Sequence, residues 1–441
     1  MHKNHPKSGG IIFFIAVLLI SLTACQKEDY QSPGLQLIDA NQLNDSILTS
    51  DTLMLRPYVN TYNSTVYEWK VNGELVSNDT AYKFAAEEPG DYVVDFRAYN
   101  ERDAEVTHQY TIHVSGKFEH GIFIVNEGWF GHDKVSVNFY RYGADSIEQN
   151  VFRQVNPDKE LGESGVYGAL AYNRLYIISR TGPFVVADAR TLKELGRIES
   201  LPAEGHAFLA LDEQKALIST QDGIYPLDLA SFSLGAKISG VEGQVGALEK
   251  SGDKVFALTE TDGLVILNQS DLSVAQSYGG VYEGFAKTSD GKLWAGRDSL
   301  LVSVDPVSLD TTQIPLPFKA ANPYSLWTAG SLSASTTENS VFISEGMPWG
   351  GGGTTVSKYE VGDSTSLQSP FISLPAGEEF YGSTPRYDAS TNELVATGVQ
   401  SGFGDNFSFN SLYFFDAGTG DLKKTIKYQN FYFPAIVVFN P

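Results

Sequence analysis

Cysteine is almost absent. The 441-residue chain has one, Cys25, which excludes an intramolecular disulfide and a cysteine-rich metal site. Clustered positive charge is missing too. Thirty-one Lys and Arg stand against 53 Asp and Glu, the formal net charge is −22, and no long basic run occurs. Phosphate contacts need such clusters, so nucleic acid is excluded as a partner, and an acidic surface disfavours docking on anionic lipid. The histidines are scattered at 2, 5, 108, 113, 120, 132 and 206, with no metal spacing between them. No Gly-x-Ser-x-Gly elbow appears. The glycines 350–353 lack the Gly-Lys-Ser/Thr that a phosphate loop needs. Acid pairs such as Glu378–Glu379 suit glycosidase chemistry only if a second carboxylate faces them. The chain therefore reads as a protein that is not an enzyme, with no catalytic residues, no metal and no cofactor.

What the chain has is aromatic content (12%) and moderate charge (19%), a composition of folded, β-rich proteins. One unit of short β-type runs recurs. Its clearest copy is Arg174–Ile178, Phe184–Asp188, a turn, then Glu194–Ile198. The same pattern starts near Ile122, Leu175, Ala216, Val255, Leu293, Val341 and Leu394. A repeat of about 40–50 residues with four strands per unit is the mark of β-propeller blades. The fold class read from this is all-β: a seven-bladed propeller over 120–441, preceded by a smaller domain. Blade 1 is expected to hold three runs of its own, ending near Ile147–Phe152. The apolar stretch Phe433–Phe439 is expected to supply its innermost strand and close the ring, removing a sheet edge.

Before the ring, residues 35–115 read as a β-sandwich. Tyr67–Val76 is an alternating strand, an Asn-Gly turn at Asn72–Gly73 and a second strand. Pro89–Tyr99 gives another turn and strand, and Trp69 is a core candidate. The W-x-x-N-G hairpin and the P-G-x-Y-x-V strand resemble PKD/Ig-like domains of bacterial surface proteins, which implies a spacer. Asp45–Ser46–Ile47, Asp51–Thr52–Leu53 and Asp79–Thr80–Ala81 resemble a Bacteroidetes O-glycosylation tripeptide.

The N-terminus reads as an address. Lys3 and Lys7 precede the apolar run Ile11–Ile20, which is too short to span a membrane, and Leu22–Thr23–Ala24–Cys25 follows. This is the layout of a secretory signal over 1–24. Its ending resembles a bacterial lipobox, which implies lipidation at Cys25 and a tether over 25–34. Gln26–Lys27–Glu28–Asp29 resembles the export tag of Bacteroidetes surface lipoproteins. The implied location is the outer membrane, exposed on the cell surface.

Within the ring, Asp188, Asp228, Asn268, Asp305 and Asp416 each open a turn before a rim strand, where their side chains can accept from backbone N–H groups. This habit, with the Ser289–Trp294 turn, resembles YncE-like seven-bladed propellers. The loops leading into inner strands and the loops joining second to third strands share one face of a propeller. On that face the ligand-binding candidates are Trp129, Phe130, Tyr167, Arg180, His206, Gln244, Tyr282, Arg297, Tyr324, Trp349, Tyr381, Phe407 and Tyr432. Three loops are long, at Gly128–Lys134, Gly346–Thr355 and Gly398–Asn410, and long loops on a rigid frame carry binding. Met347 and Trp349 on one loop echo Trp129 and Phe130 on another.

Phe123–Gly128, Asn156–Pro157, Leu161–Gly162 and the aromatic C-terminal closure resemble the cobalamin-capturing propeller lipoproteins of Bacteroidetes. The resemblance implies capture of a small-molecule nutrient, cobalamin or another corrinoid, and its transfer to a TonB-dependent transporter. A ferric siderophore, haem, a glycan or a docking protein are the competing ligands.

Overall fold

A computed structural model describes residues 35–37, 44–59, 65–100, 105–320, 326–346 and 352–441. Cys25 with its leader and tether, and Tyr324, Met347 and Trp349, lie outside the described residues. Two compact units are present, one drawn from the N-terminal strands and one dominated by 113–441.

In the first unit Thr65–Val71 and Glu74–Ser77 form the expected hairpin, with Val71 opposite Glu74. Its turn residues Asn72 and Gly73 have φ of 49° and 87°, the pair of positive values that matches the strand twist. Trp69 is fully buried. Its ring lies 4.7 Å from Phe96, and its Nε1–H donates to Asp79 O at 2.8 Å, which satisfies the one polar atom that burial would otherwise penalise.

The second unit is the propeller. Among the described residues its strands make seven antiparallel sheets. Blade 2 is representative: Glu163–Ala171, Arg174–Thr181, Phe184–Asp188 and Glu194–Ile198 pair in chain order from the channel outward. Its two central strands are buried almost throughout. That explains their continuous apolar sequence, since both sheet faces pack on neighbouring blades. Tyr176 of blade 2 stacks on Phe208 of blade 3 with centroids 4.0 Å apart, inside an apolar cluster shared by the two blades.

The turn acids do what their position suggests. Asp188 Oδ1 accepts from Arg190 N, Thr191 N and Thr191 Oγ1 at 2.9, 2.8 and 3.1 Å. Asp228, Asp305 and Asp416 repeat the backbone pair. Asn268 does not: its turn is bonded through Asp271 instead. Four residues after each opening residue the chain enters the left-handed region, at Leu192, Phe232, Leu272, Leu309 and Gly420. For a leucine this costs about 1–2 kcal/mol. Leu192 is fully buried in the core, and that burial returns about 1.5–3 kcal/mol. Asp188→Ala is expected to destabilise the propeller by about 1–2 kcal/mol, measured by urea unfolding; an unchanged midpoint would show that the turn holds without its acid.

Pro434–Asn440 closes the ring, pairing antiparallel with Gly121–Asn126, Ile124 opposite Val437. Blade 1 departs from expectation on its outer side. Ser136–Arg141 is its outermost strand, and 147–152 makes a single bridge, Phe139 to Glu148, before the short helix Val151–Val155. The helix buries Val151 and Phe152, so the two apolar residues that suggested a strand are core-facing helical ones. Blade 7 has a broken inner strand, Glu378–Phe380 and Arg386–Asp388, both pairing with Glu393–Gln400. The expected long loop at Gly398–Asn410 is shorter, because Val399 pairs with Asn410 and extends the hairpin.

Candidate functional site

Three contacts join the two classes of loop on one face. Arg180, ending the second strand of blade 2, lies 2.9 Å from Glu204, which leads into blade 3. The Arg297 guanidinium sits 5.5 Å from the Tyr282 ring centroid. The Tyr381 hydroxyl donates to Glu127 Oε1 at 3.2 Å.

An aromatic wall occupies the blade 1–blade 7 side of this face. Trp129 packs on Tyr432 at 5.1 Å and on His132 at 4.9 Å. Tyr381 packs on Phe433 at 5.2 Å, and Phe407 on Phe433 at 5.6 Å. Phe403 joins Phe407 at 5.5 Å. The wall has an inside and an outside. Tyr381 and Phe407 are buried and form its foundation, contrary to the expectation that they meet a ligand. Phe130 and Phe403 stand out from it, 59% and 70% exposed. Trp129 and Tyr432 are half-buried between these extremes. Beside the wall, His132, Lys134, Arg153, Leu161 and Tyr432 line a cleft of about 280 Å³.

Tyr282 is 3% exposed and packs in a blade 4–blade 5 core. Arg297 covers it, so this pair closes the inter-blade seam. Tyr167 is half-buried inside the channel, well below the loops, where burial raises the pKa of its hydroxyl.

The top of the channel is crossed by a segment that sequence reasoning passed over. Leu326 packs with the blade 4–5 core, Trp327 lies 4.8 Å from the Arg180 guanidinium of blade 2, and Ala329 donates its N–H to Ser383 Oγ of blade 7 at 3.0 Å. Contacts with blades 2, 4, 5 and 7 make 326–330 a plug. Gly246 is required beneath it: a Cβ there would stand 2.3 Å from Leu326 O.

Around the plug, polar side chains occupy the leading ends of successive inner strands. His206 is 1% exposed and Gln244 7%. His206 Nδ1–H donates to Val245 O at 2.8 Å; among the described residues its Nε2 has no partner, nor do Gln244 Nε2 and Glu283 Oε2. Burial pushes the His206 pKa down, and the bond to Val245 opposes it. Burial pushes Glu283 up to about 7, helped by Asp298 and opposed by Lys319. Burial pushes Glu127 up to about 8, against the Tyr381 hydrogen bond and the Arg180 charge. Among the described residues no group of three or more His, Cys, Asp or Glu is placed to hold a metal ion. The arrangement offers an apolar wall, a cleft and a nearly neutral polar channel head, which suits binding of an amphipathic molecule.

A family model described as a domain of unknown function, DUF5074, matches residues 120–440. The chain belongs to that family. The DUF5074 region is thus the whole propeller, and a PKD-like domain model matches 45–100 ahead of it. No curated protein matches the chain. The chain is similar to a crystal structure described as a quinonprotein alcohol dehydrogenase-like protein from Bacteroides thetaiotaomicron. The TM-score is 0.62 and the identity 19%, covering 92% of this chain and 99% of that one. At that identity the likeness shows the fold alone. A computationally designed protein, Ika8, scores 0.44 at 12% identity over 70% of this chain and 88% of its own.

Proposed function

We propose that this DUF5074 protein captures a nutrient on the aromatic wall of its propeller and hands it to a TonB-dependent transporter, with cobalamin or another corrinoid as the ligand. One observation carries the reading: exposed Phe130 and Phe403 accompany half-buried Trp129 and Tyr432, next to a cleft whose rim carries Arg153 among basic and acidic residues. Exposed aromatics on a pre-packed base bind with little loss of side-chain freedom. A corrinoid offers a broad flat ring for the wall and a phosphate-bearing arm for Arg153 on the rim. The Phe123–Gly128 resemblance and the strand closing blade 1 support this ligand over others, and the lipobox-like Leu22–Cys25 supports display on the outer membrane. An anionic siderophore fits less well, because it needs Arg180 and Arg297 to meet: Arg180 is taken by Glu204 and Trp327, and Arg297 by Tyr282. A protein partner is favoured by one feature, the exposure of Phe403.

The test is retention on immobilised cyanocobalamin with elution by free cyanocobalamin, and immobilised haem in parallel. Trp129→Ala is expected to weaken retention about tenfold, the effect of losing a central aromatic anchor. Retention on haem alone would replace the corrinoid, and retention on neither would leave the protein-docking reading.

A further inference from the structure

The channel has a second mouth, at the end where inner strands turn into second strands. It opens into a cavity of about 390 Å³ lined by blades 1, 2, 5, 6 and 7, with Tyr167, Lys287, Ser333 and Arg386 among its walls. That volume lies in the range of small-molecule sites. It is separate from the aromatic wall and independent of the reading given above.

The polar groups here are incompletely satisfied. Arg386 is half-buried, yet no ion pair or hydrogen bond engages its guanidinium among the described residues. A guanidinium has five donors, no acceptor, and stays charged, so a half-buried one favours an anion. Among the described residues the Lys287 ammonium reaches Lys250 O alone, at 3.5 Å. Ser333 Oγ is buried without a partner among the described residues. Glu249, on blade 4, feels both charges: burial raises its pKa, and the charges of Lys287 and Arg386 pull it back. No ion pair joins it to either cation among the described residues, and its Oε1 instead accepts from Lys250 N at 3.1 Å. The Arg386 charge likewise reaches the Tyr167 hydroxyl, lowering its otherwise raised pKa. In a chain of net charge −22, two cations that line one cavity without an ion pair among the described residues are not a product of composition.

We propose that this lower chamber binds a small dicarboxylate. One carboxylate takes the planar fork of Arg386 in a bidentate pair, the geometry that guanidinium suits. The second reaches Lys287, across blade 6. Ser333 Oγ–H on blade 6 and the Tyr167 hydroxyl on blade 2 donate the remaining hydrogen bonds. A dicarboxylate has one carboxylate for each of the two cations, which stand on blades 7 and 5, where a compact anion has a single charged centre.

Titration of the protein with succinate, followed by calorimetry, tests this, with inorganic phosphate as the compact competitor. The expected result is one saturable site per chain, weakened about tenfold or more by Arg386→Gln, several-fold by Lys287→Gln, and unchanged by Trp129→Ala. Lys287 is exposed, so its variant tests the site even if Arg386→Gln folds poorly. Absence of saturation up to about 10 mM succinate, a weak limit for a specific pair, would overturn the proposal. So would unchanged affinity in both variants. Phosphate binding as tightly as succinate would overturn the dicarboxylate assignment.

Discussion

Truncating the chain after Phe433 is expected to abolish cooperative folding of the propeller. The strand removed, Pro434–Asn440, is the innermost of blade 1 and pairs along the inner edge of Gly121–Asn126. Ile436, Val437 and Val438 are each 6% exposed or less. At about 1.5–3 kcal/mol per buried aliphatic side chain, their loss costs roughly 5–9 kcal/mol, comparable to the whole net stability of a domain at about 5–15 kcal/mol. The edge of Gly121–Asn126 would also be left unpaired along its length, an open template for aggregation. Asn440 adds a polar latch, its Nδ2 donating to Phe118 O at 2.6 Å and to Ala189 O at 2.9 Å. Thermal unfolding followed by circular dichroism checks this. Loss of the transition, or aggregation on purification, is the expected outcome; a melting temperature within a few degrees of the parent would mean that ring closure is not a major source of stability.

Glu127→Gln is expected to flatten the pH dependence of stability. The carboxyl lies beneath the aromatic wall, and burial raises it from 4.5 to about 8. Between those values the folded protein holds a proton that the unfolded chain has released. Stability is therefore greatest below about 4.5 as far as this group is concerned, and declines as pH rises towards 8. The span is on the order of 2–4 kcal/mol at 1.36 kcal/mol per unit, discounted for partial exposure. A neutral glutamine keeps the acceptor for the Tyr381 hydroxyl and has nothing to ionise. The variant should match the parent near pH 5 and exceed it near pH 9. Urea midpoints across that range decide the matter. Parallel curves for the two proteins would show that Glu127 does not carry the effect.

The blades were legible because the sequence repeats a physical requirement. Each second strand, from Ile122 to Leu394, is buried on both faces and so is written as a continuous apolar run. Four rim turns are opened by an acid that accepts from their backbone, at Asp188, Asp228, Asp305 and Asp416. The closing strand was legible for the same reason, since 435–438 is uniformly apolar. What failed is equally physical. Val151 and Phe152 are apolar in a helix as they would be in a strand, and a run of five residues is too short for periodicity to separate the two. The face itself could be enumerated from loop order, but not the direction of each ring. Tyr282, Tyr381 and Phe407 look no different in sequence from Phe130 and Phe403, yet the first three are buried between elements. Trp327 and Arg386 belong to no motif, and only the fold brings them to the channel. The long connection before Leu332 was the one available sign of the plug.

The most direct test of ligand capture is titration calorimetry of the protein with cyanocobalamin, run beside Trp129→Ala and Phe403→Ala. Sub-micromolar binding, about −8 kcal/mol or stronger, with both variants weaker and their melting temperatures unchanged, is the result expected here. No heat at high micromolar ligand, or wild-type affinity in both variants, would contradict capture of a corrinoid on the aromatic wall.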